Sequence, residues 1–320
     1  MNHISVIGAG AWGTALGLAA FRAGRKVTLW SISPDEVDTI NGRHENVYRL
    51  PGIALDPSLH ATLQVQEAAL ADIIVLVPPA QFMRSTCQTF QKTIKPDVPL
   101  VIASKGIEVD TCLLMSEVVR EFFPNNPLLV LSGPSFASDV AQKLPTAVAL
   151  AAEKLVLSQK IADLLTSSHF HLEASDDIIG TQVGGACKNI IAIACGIVEG
   201  RDLGDNARAA VVSRGLTEIA RLGCSMGGKL ETFLGLAGVG DITLTSLCAQ
   251  SRNKSFGLDL GRGTPLEEML ASKKTLTEGV YTVSGAVTLA KKHKVDMPLT
   301  FAMYQLLYER GTVESLIEKL

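Results

Sequence analysis

ISVIGAGAWGTALGLAAFRAGRKVTLW, residues 4–30, is the stretch whose reading decides the fold. Ile4-Ser5-Val6-Ile7 is a short apolar run that reads as a buried strand. It passes directly into Gly8-Ala9-Gly10-Ala11-Trp12-Gly13, a complete G-x-G-x-x-G. A helical pattern over Thr14–Arg22 follows, Gly24 stops it, and Val27-Thr28-Leu29-Trp30 reads as a second strand. Gly8 permits the tight turn, Gly10 lets the backbone approach a pyrophosphate, and Gly13 allows close helix–strand packing. Phosphates would then rest on the helix N-terminus, where amide N–H groups point outward. Inside a strand–turn–helix–strand unit of about 30 residues, this is a specific dinucleotide fingerprint.

Which dinucleotide is left open. An acidic residue for a ribose 2′-hydroxyl is expected at the end of the second strand. Ser31-Ile32-Ser33 stands there, and Asp35 and Glu36 arrive late, after Pro34. No arginine for a 2′-phosphate occupies the position either, although Arg49, in Asn46–Pro51, could supply one from a distance.

Further apolar runs at Ile73–Val77, Leu100–Ala103, Leu128–Leu131 and Ala147–Leu150 complete an α/β Rossmann-type parallel sheet. Ligands of such sheets bind beyond the carboxyl ends of the strands. Two of those ends carry chemistry: Ser104-Lys105-Gly106, with a lysine placed for an anion, and Ser132-Gly133-Pro134-Ser135-Phe136-Ala137. Beyond about residue 175 the strand signals vanish. Helical periodicity covers Gly180–Gly200, Asn206–Leu222, Asp241–Ala249, Gly279–Lys294 and Pro298–Arg310. Residues 1–175 are therefore read as the dinucleotide-binding domain and 176–320 as an all-α substrate-binding and catalytic domain.

One residue disturbs the helical half. Lys188 interrupts GTQVGGACKNIIAIACGI, residues 180–197, which is otherwise almost wholly apolar and small. Its neighbours three and four positions away are Gly184, Gly185, Ile191 and Ala192, and none of them can pair with a charge. Burying an ammonium without a partner costs several kcal/mol, so such a lysine snorkels to solvent or serves as an acid/base group with a lowered pKa. The glycines are read as leaving room for something to come close. A second polar cluster follows at Leu236–Gly257, where glycines lead into a helix with Asp241 in its first turn and Thr245 one turn later. Helix capping alone would account for Asp241. Gln250-Ser251-Arg252-Asn253-Lys254 reads as a phosphate cradle, or more plainly as a solvated basic loop.

The formal charge of −3 and 5% aromatic content give no footprint for nucleic acid. No apolar run reaches the ~20 residues of a membrane span, Ile190–Val198 being the nearest. The first strand begins too early for a signal peptide. Cys87, Cys112, Cys187, Cys195, Cys224 and Cys248 form no C-x-x-C pair, so reduced core thiols and a cytoplasmic location are expected. Cys187, beside Lys188, is read as filler with incidental sensitivity to thiol reagents. No metal site is indicated.

GAGAWGTAL, ASKGI at Ala103–Ile107, SGPSFA at Ser132–Ala137, GGACKNIIAIACGI, NARAAVVSRGL at Asn206–Leu216, GLAGVGDI and QSRNKSFG occur in one order along the whole chain. Together they resemble the bacterial NAD(P)-dependent glycerol-3-phosphate dehydrogenases. The resemblance implies hydride transfer from NAD(P)H to C2 of dihydroxyacetone phosphate, giving sn-glycerol 3-phosphate for phospholipid synthesis. It implies Lys188 as acid/base with Asp241 beside it, and substrate contacts from Lys105, Gly133, Ser135, Lys188, Asp241, Ser251, Arg252 and Asn253. Cofactor contacts are implied for Ala11, Trp12, Lys105, Ala137, Arg252, Leu276 and Glu278; Gly8, Gly10 and Gly13 join them from the fingerprint itself, and Arg49 from its place in the Asn46–Pro51 loop. The cofactor is NAD or NADP, with a lean to NADP. Many relatives carry an arginine after the second strand and an aromatic before Leu-Pro, where this chain has Ser31-Ile32-Ser33 and Arg49. Two other readings stand beside this one. A hydroxy-acid or ketopantoate-type dehydrogenase would also use a lysine but gives no reason for Ser251-Arg252-Asn253. A dinucleotide sensor without turnover gives none for Lys188 with Asp241. A homodimer is left open.

Overall fold

The glycine fingerprint folds as strand, turn and helix: β1 (His3–Ile7), then the Ala11–Arg22 helix, then β2 (Lys26–Trp30). The computed structural model describes residues 1–271, 277–309 and 311–318. Six more strands follow in the chain: β3 (His60–Thr62), β4 (Ile73–Leu76), β5 (Leu100–Ile102), β6 (Leu128–Ser132), β7 (Thr146–Ala152) and β8 (Phe170–Ser175). They form one sheet in the order β3-β2-β1-β4-β5-β6-β7-β8. β1 pairs in parallel with both β2 and β4, so the winding reverses beside β1. That reversal opens a crevice at the end of β1, where the glycine turn lies.

The central strands are buried on both faces apart from the half-buried His3, and mostly apolar, which is why they read as near-continuous apolar runs in the sequence. Two strands have no such run. β3 is three residues, His-Ala-Thr, too short for a period to show. β8 alternates, with Phe170 and Leu172 inward and His171 and Glu173 outward, as an edge strand with one wet face does.

The chain divides into two compact units: residues 1–104, 115–131 and 135–178, and residues 105–114, 132–134 and 179–320. Two short segments from early in the sequence thus group with the helical unit. That unit is built on the 23-residue Ile178–Gly200 helix, with Gly204–Ser225, Asp241–Leu247, Arg252–Gly261, Glu278–His293 and Pro298–Tyr308 among its other helices. The Ile178–Gly200 helix is long and apolar enough to cross a membrane by length and composition alone, a correction to the shorter run expected. Its most apolar window is 89% buried inside the protein, so its apolar character is that of a core helix.

Gly196 and Gly200 of that helix, with Gly257 and Gly261 of the Arg252–Gly261 helix, allow two backbones to cross in near contact. A Cβ on Gly257 would stand 2.0 Å from the Ile193 carbonyl oxygen, so larger residues would force the helices apart.

Candidate active site

In the first unit, the turn after β1 has the features of a phosphate cradle. Gly8 has φ +115°, a left-handed backbone that side chains rarely adopt. A Cβ on Gly13 would fall 1.9 Å from the Gly8 carbonyl oxygen, so helix and turn touch only because it is absent. Gly10 differs: its φ is −66°, and a Cβ there would meet nothing within 4 Å. No described residue requires glycine at that position, whereas a pyrophosphate lying against the backbone would. Trp12 Nε1 is buried with no hydrogen-bond partner among the described residues. These residues fit a dinucleotide. Ala11 and Ala137 head short-loop helices and pack against the core of this unit, and Ser135 is half-buried just before the second of them.

In the helical unit, Asp241 is fully buried and accepts from two lysines. Lys105 Nζ donates to Oδ2 at 2.7 Å, and Lys188 Nζ donates to Oδ1. Lys188 also donates to Thr245 Oγ1 at 2.8 Å, and Lys105 to the Gly133 carbonyl at 3.0 Å. Leu236–Gly240 winds as a wide π turn straight into the Asp241–Leu247 helix, which sets Asp241 at its positive end. Burial alone would raise the Asp241 carboxyl, but the ammonium groups of Lys105 and Lys188 outweigh it and hold it below the usual range. Burial lowers Lys188 to about 8, against the pull of Asp241 and with the push of the like charge on Lys105.

The glycines beside Lys188 do not leave open room. A Cβ on Gly184 would lie 2.3 Å from the Ala237 carbonyl oxygen, and one on Gly185 would lie 2.3 Å from Ser132 Oγ. The protein itself fills the space the sequence suggested, bringing the turn before Asp241 and the end of β6 against the lysine helix.

The stretch read as a phosphate cradle divides. Ser251 caps the Arg252–Gly261 helix through Oγ, accepting from Lys254 N at 3.3 Å. Lys254 is buried and donates to the Leu247 carbonyl at 3.0 Å, with Glu199 Oε2 at 2.8 Å. Asn253 donates through Nδ2 to Asn189 Oδ1 and accepts through Oδ1 from Gly279 N, each at 3.0 Å. Arg252 alone of the four is exposed, and no described carboxylate pairs with it. Glu278 begins the helix that Asn253 holds, while Leu276 lies outside the described residues. The Lys105–Asp241 pair was not anticipated, because 136 residues separate the two in the chain.

The cysteines are free thiols, but only Cys87, Cys187 and Cys195 are buried; Cys112 and Cys248 are half-buried and Cys224 is exposed. Burial pushes the Cys187 thiol up to about 12, so the expected reactivity beside Lys188 is not supported.

The N-terminal model of NAD-dependent glycerol-3-phosphate dehydrogenase matches residues 3–157, and the C-terminal model matches residues 177–318. The chain belongs to the NAD-dependent glycerol-3-phosphate dehydrogenase family. Within that family it is 46% identical to the glycerol-3-phosphate dehydrogenase (NAD(P)+) of Rhodospirillum rubrum, over 100% of this chain and 92% of the relative. The crystal structure of glycerol-3-phosphate dehydrogenase from Coxiella burnetii superposes with a TM-score of 0.93 at 38% identity, covering 99% of this chain and 98% of that one. A ketopantoate reductase from Ralstonia eutropha, at 15% identity and TM-score 0.62 over 99% of each chain, shares the fold alone.

Proposed function

We propose that this glycerol-3-phosphate dehydrogenase family member interconverts dihydroxyacetone phosphate and sn-glycerol 3-phosphate. The observation that carries the reading is the buried Lys188–Asp241–Lys105 arrangement with Thr245. An ammonium has three N–H donors, and Lys188 spends two, on Asp241 and Thr245. The third is left for a ligand oxygen. The nicotinamide of a dinucleotide held by the glycine turn would supply or accept the hydride at C2. Lys188 donates a proton to the C2 oxygen as charge develops there, and in the oxidative direction its neutral form takes that proton back. Asp241 holds the lysine in place, and Lys105, with one N–H likewise unspent, adds positive charge beside it. Arg252 supplies an exposed, unpaired fork for the phosphate, with the remaining N–H of Asn253 as its neighbour. Holding the phosphate remotely lets binding energy orient the carbon that reacts.

Gly133, Ser135 and Ser251 are kept as further substrate contacts. Gly8, Gly10, Ala11, Trp12, Gly13, Ala137 and Glu278 are kept as cofactor contacts. The test is loss of absorbance at the reduced-nicotinamide band on adding dihydroxyacetone phosphate, run in parallel with NADH and NADPH. Rapid loss supports the reading. No loss from folded protein that still binds dinucleotide would sink it.

A further inference from the structure

The end of β2 has no acidic residue, yet a carboxylate does reach it. Glu36, 6% exposed, turns back from the first turn of the Pro34–Arg43 helix. Its Oε2 accepts from Ser31 Oγ at 2.5 Å, and its Oε1 accepts from Arg49 Nε at 2.6 Å. Arg49 is fixed from a second side. Asn46, fully buried, donates through Nδ2 to the Ala9 carbonyl at 2.8 Å and to Thr14 Oγ1 at 2.9 Å. The same side chain accepts from Arg49 N through Oδ1 at 3.2 Å. One amide thus ties the Arg49 backbone to the glycine turn, and one carboxylate ties its side chain to the end of β2. The Arg49 side chain is nonetheless 58% exposed, and its two Nη groups bond to no described residue.

We propose that Arg49, steered by Glu36, selects a dinucleotide carrying a 2′-phosphate, an inference that rests on the cofactor reading above. A bare 2′-hydroxyl needs a carboxylate with an accessible oxygen. Glu36 is buried and both of its oxygens are taken, so it serves Arg49 and not the ribose. The other carboxylate of that first turn, Asp35, is exposed, and no described residue pairs with it to aim it. Arg49 uses Nε to dock on Glu36, which leaves two parallel donors in the planar geometry that matches a phosphate. Ser33 adds to this: its Oγ accepts from Glu36 N at 3.4 Å and keeps its own proton to donate.

Direct titration of the full chain with NADPH and NADH, followed by nicotinamide fluorescence without substrate, tests this. NADPH should bind about tenfold tighter or better, a difference of about 1.4 kcal/mol. Arg49→Ala should bring the ratio close to one, with the loss falling on NADPH. Arg49→Lys, which keeps the charge but not the fork, should recover only part of it. Equal or tighter NADH binding by the unmodified protein, or an Arg49→Ala variant that keeps its preference, overturns the proposal while leaving triose-phosphate reduction untouched. Binding of neither nucleotide overturns it together with the cofactor reading.

Discussion

Asp241 accepts from Lys105 at one carboxylate oxygen and from Lys188 at the other, with no exposed surface of its own. Three charges therefore share one site and sum to a single positive charge. Asp241→Asn keeps the shape and removes the only negative member. Breaking a buried pair by neutralising one partner costs about 3–5 kcal/mol, because the other charge stays buried. Lys188 should respond by titrating lower than about 8. The variant is expected to melt several degrees lower and to shift its pH profile toward acid. A profile that stays in place would show that Asp241 does not govern Lys188.

The direction of the reaction should set the sign of the pH dependence. Reduction requires Lys188 as ammonium, which dominates below about 8 and is lost as the pH rises through it. Oxidation of glycerol 3-phosphate requires the neutral amine and gains through the same range. Initial rates in both directions at saturating cofactor should give opposite limbs with one shared midpoint. Two limbs moving together would exclude a single acid/base group.

Chemistry and binding should separate between Lys188 and Arg252. Lys188→Ala removes the proton donor and is expected to lower kcat by about 10²–10⁴-fold. Asp241 retains Lys105, so the fold should survive, as circular dichroism would report. Arg252→Ala removes an exposed group that orphans no partner among the described residues. Its effect should fall on KM for the phosphorylated substrate, with kcat changed far less. Near-normal turnover without Lys188, or an unchanged KM without Arg252, would remove that residue from the mechanism.

The legible parts of the chain are those in which one local pattern carries the signal. β1 and its glycine turn were readable because turn, helix and strand must follow one another within a short span. Lys188 was readable as a charge in an apolar helix, and Thr245 as one turn from Asp241. Lys105 was readable only as a lysine at a strand end, since its partner is fixed by tertiary packing across 136 positions. Glu36 was visible but misplaced: it lies five residues beyond Ser31, and only the helix start folds it back to the end of β2. Gly184 and Gly185 announced a close approach without saying what approaches. β3 and β8 sit at the sheet edges, where burial no longer writes a continuous apolar run.

Gly185 and Ser132 give the sharpest test of that packing. A methyl on Gly185 would sit 2.3 Å from Ser132 Oγ but 3.3 Å from Ser132 Cβ, and 3.6 Å from Lys105 Cδ. Gly185→Ala alone must push the end of β6 or bend the lysine helix, a cost of about 1–3 kcal/mol for overpacking. Ser132 Oγ is buried without a hydrogen-bond partner among the described residues, so Ser132→Ala removes an unsatisfied polar group and should be neutral or stabilising. In the double variant the two alanine methyl groups stand 3.3 Å apart, still closer than ordinary contact but free of the 2.3 Å clash, so part of the stability lost in Gly185→Ala should return. Denaturant melts of the four proteins give the coupling directly, since residues in contact are expected to be non-additive. Additive effects would mean that the lysine helix does not press on the end of β6, and Lys105 would then need another reason to stand where it meets Asp241.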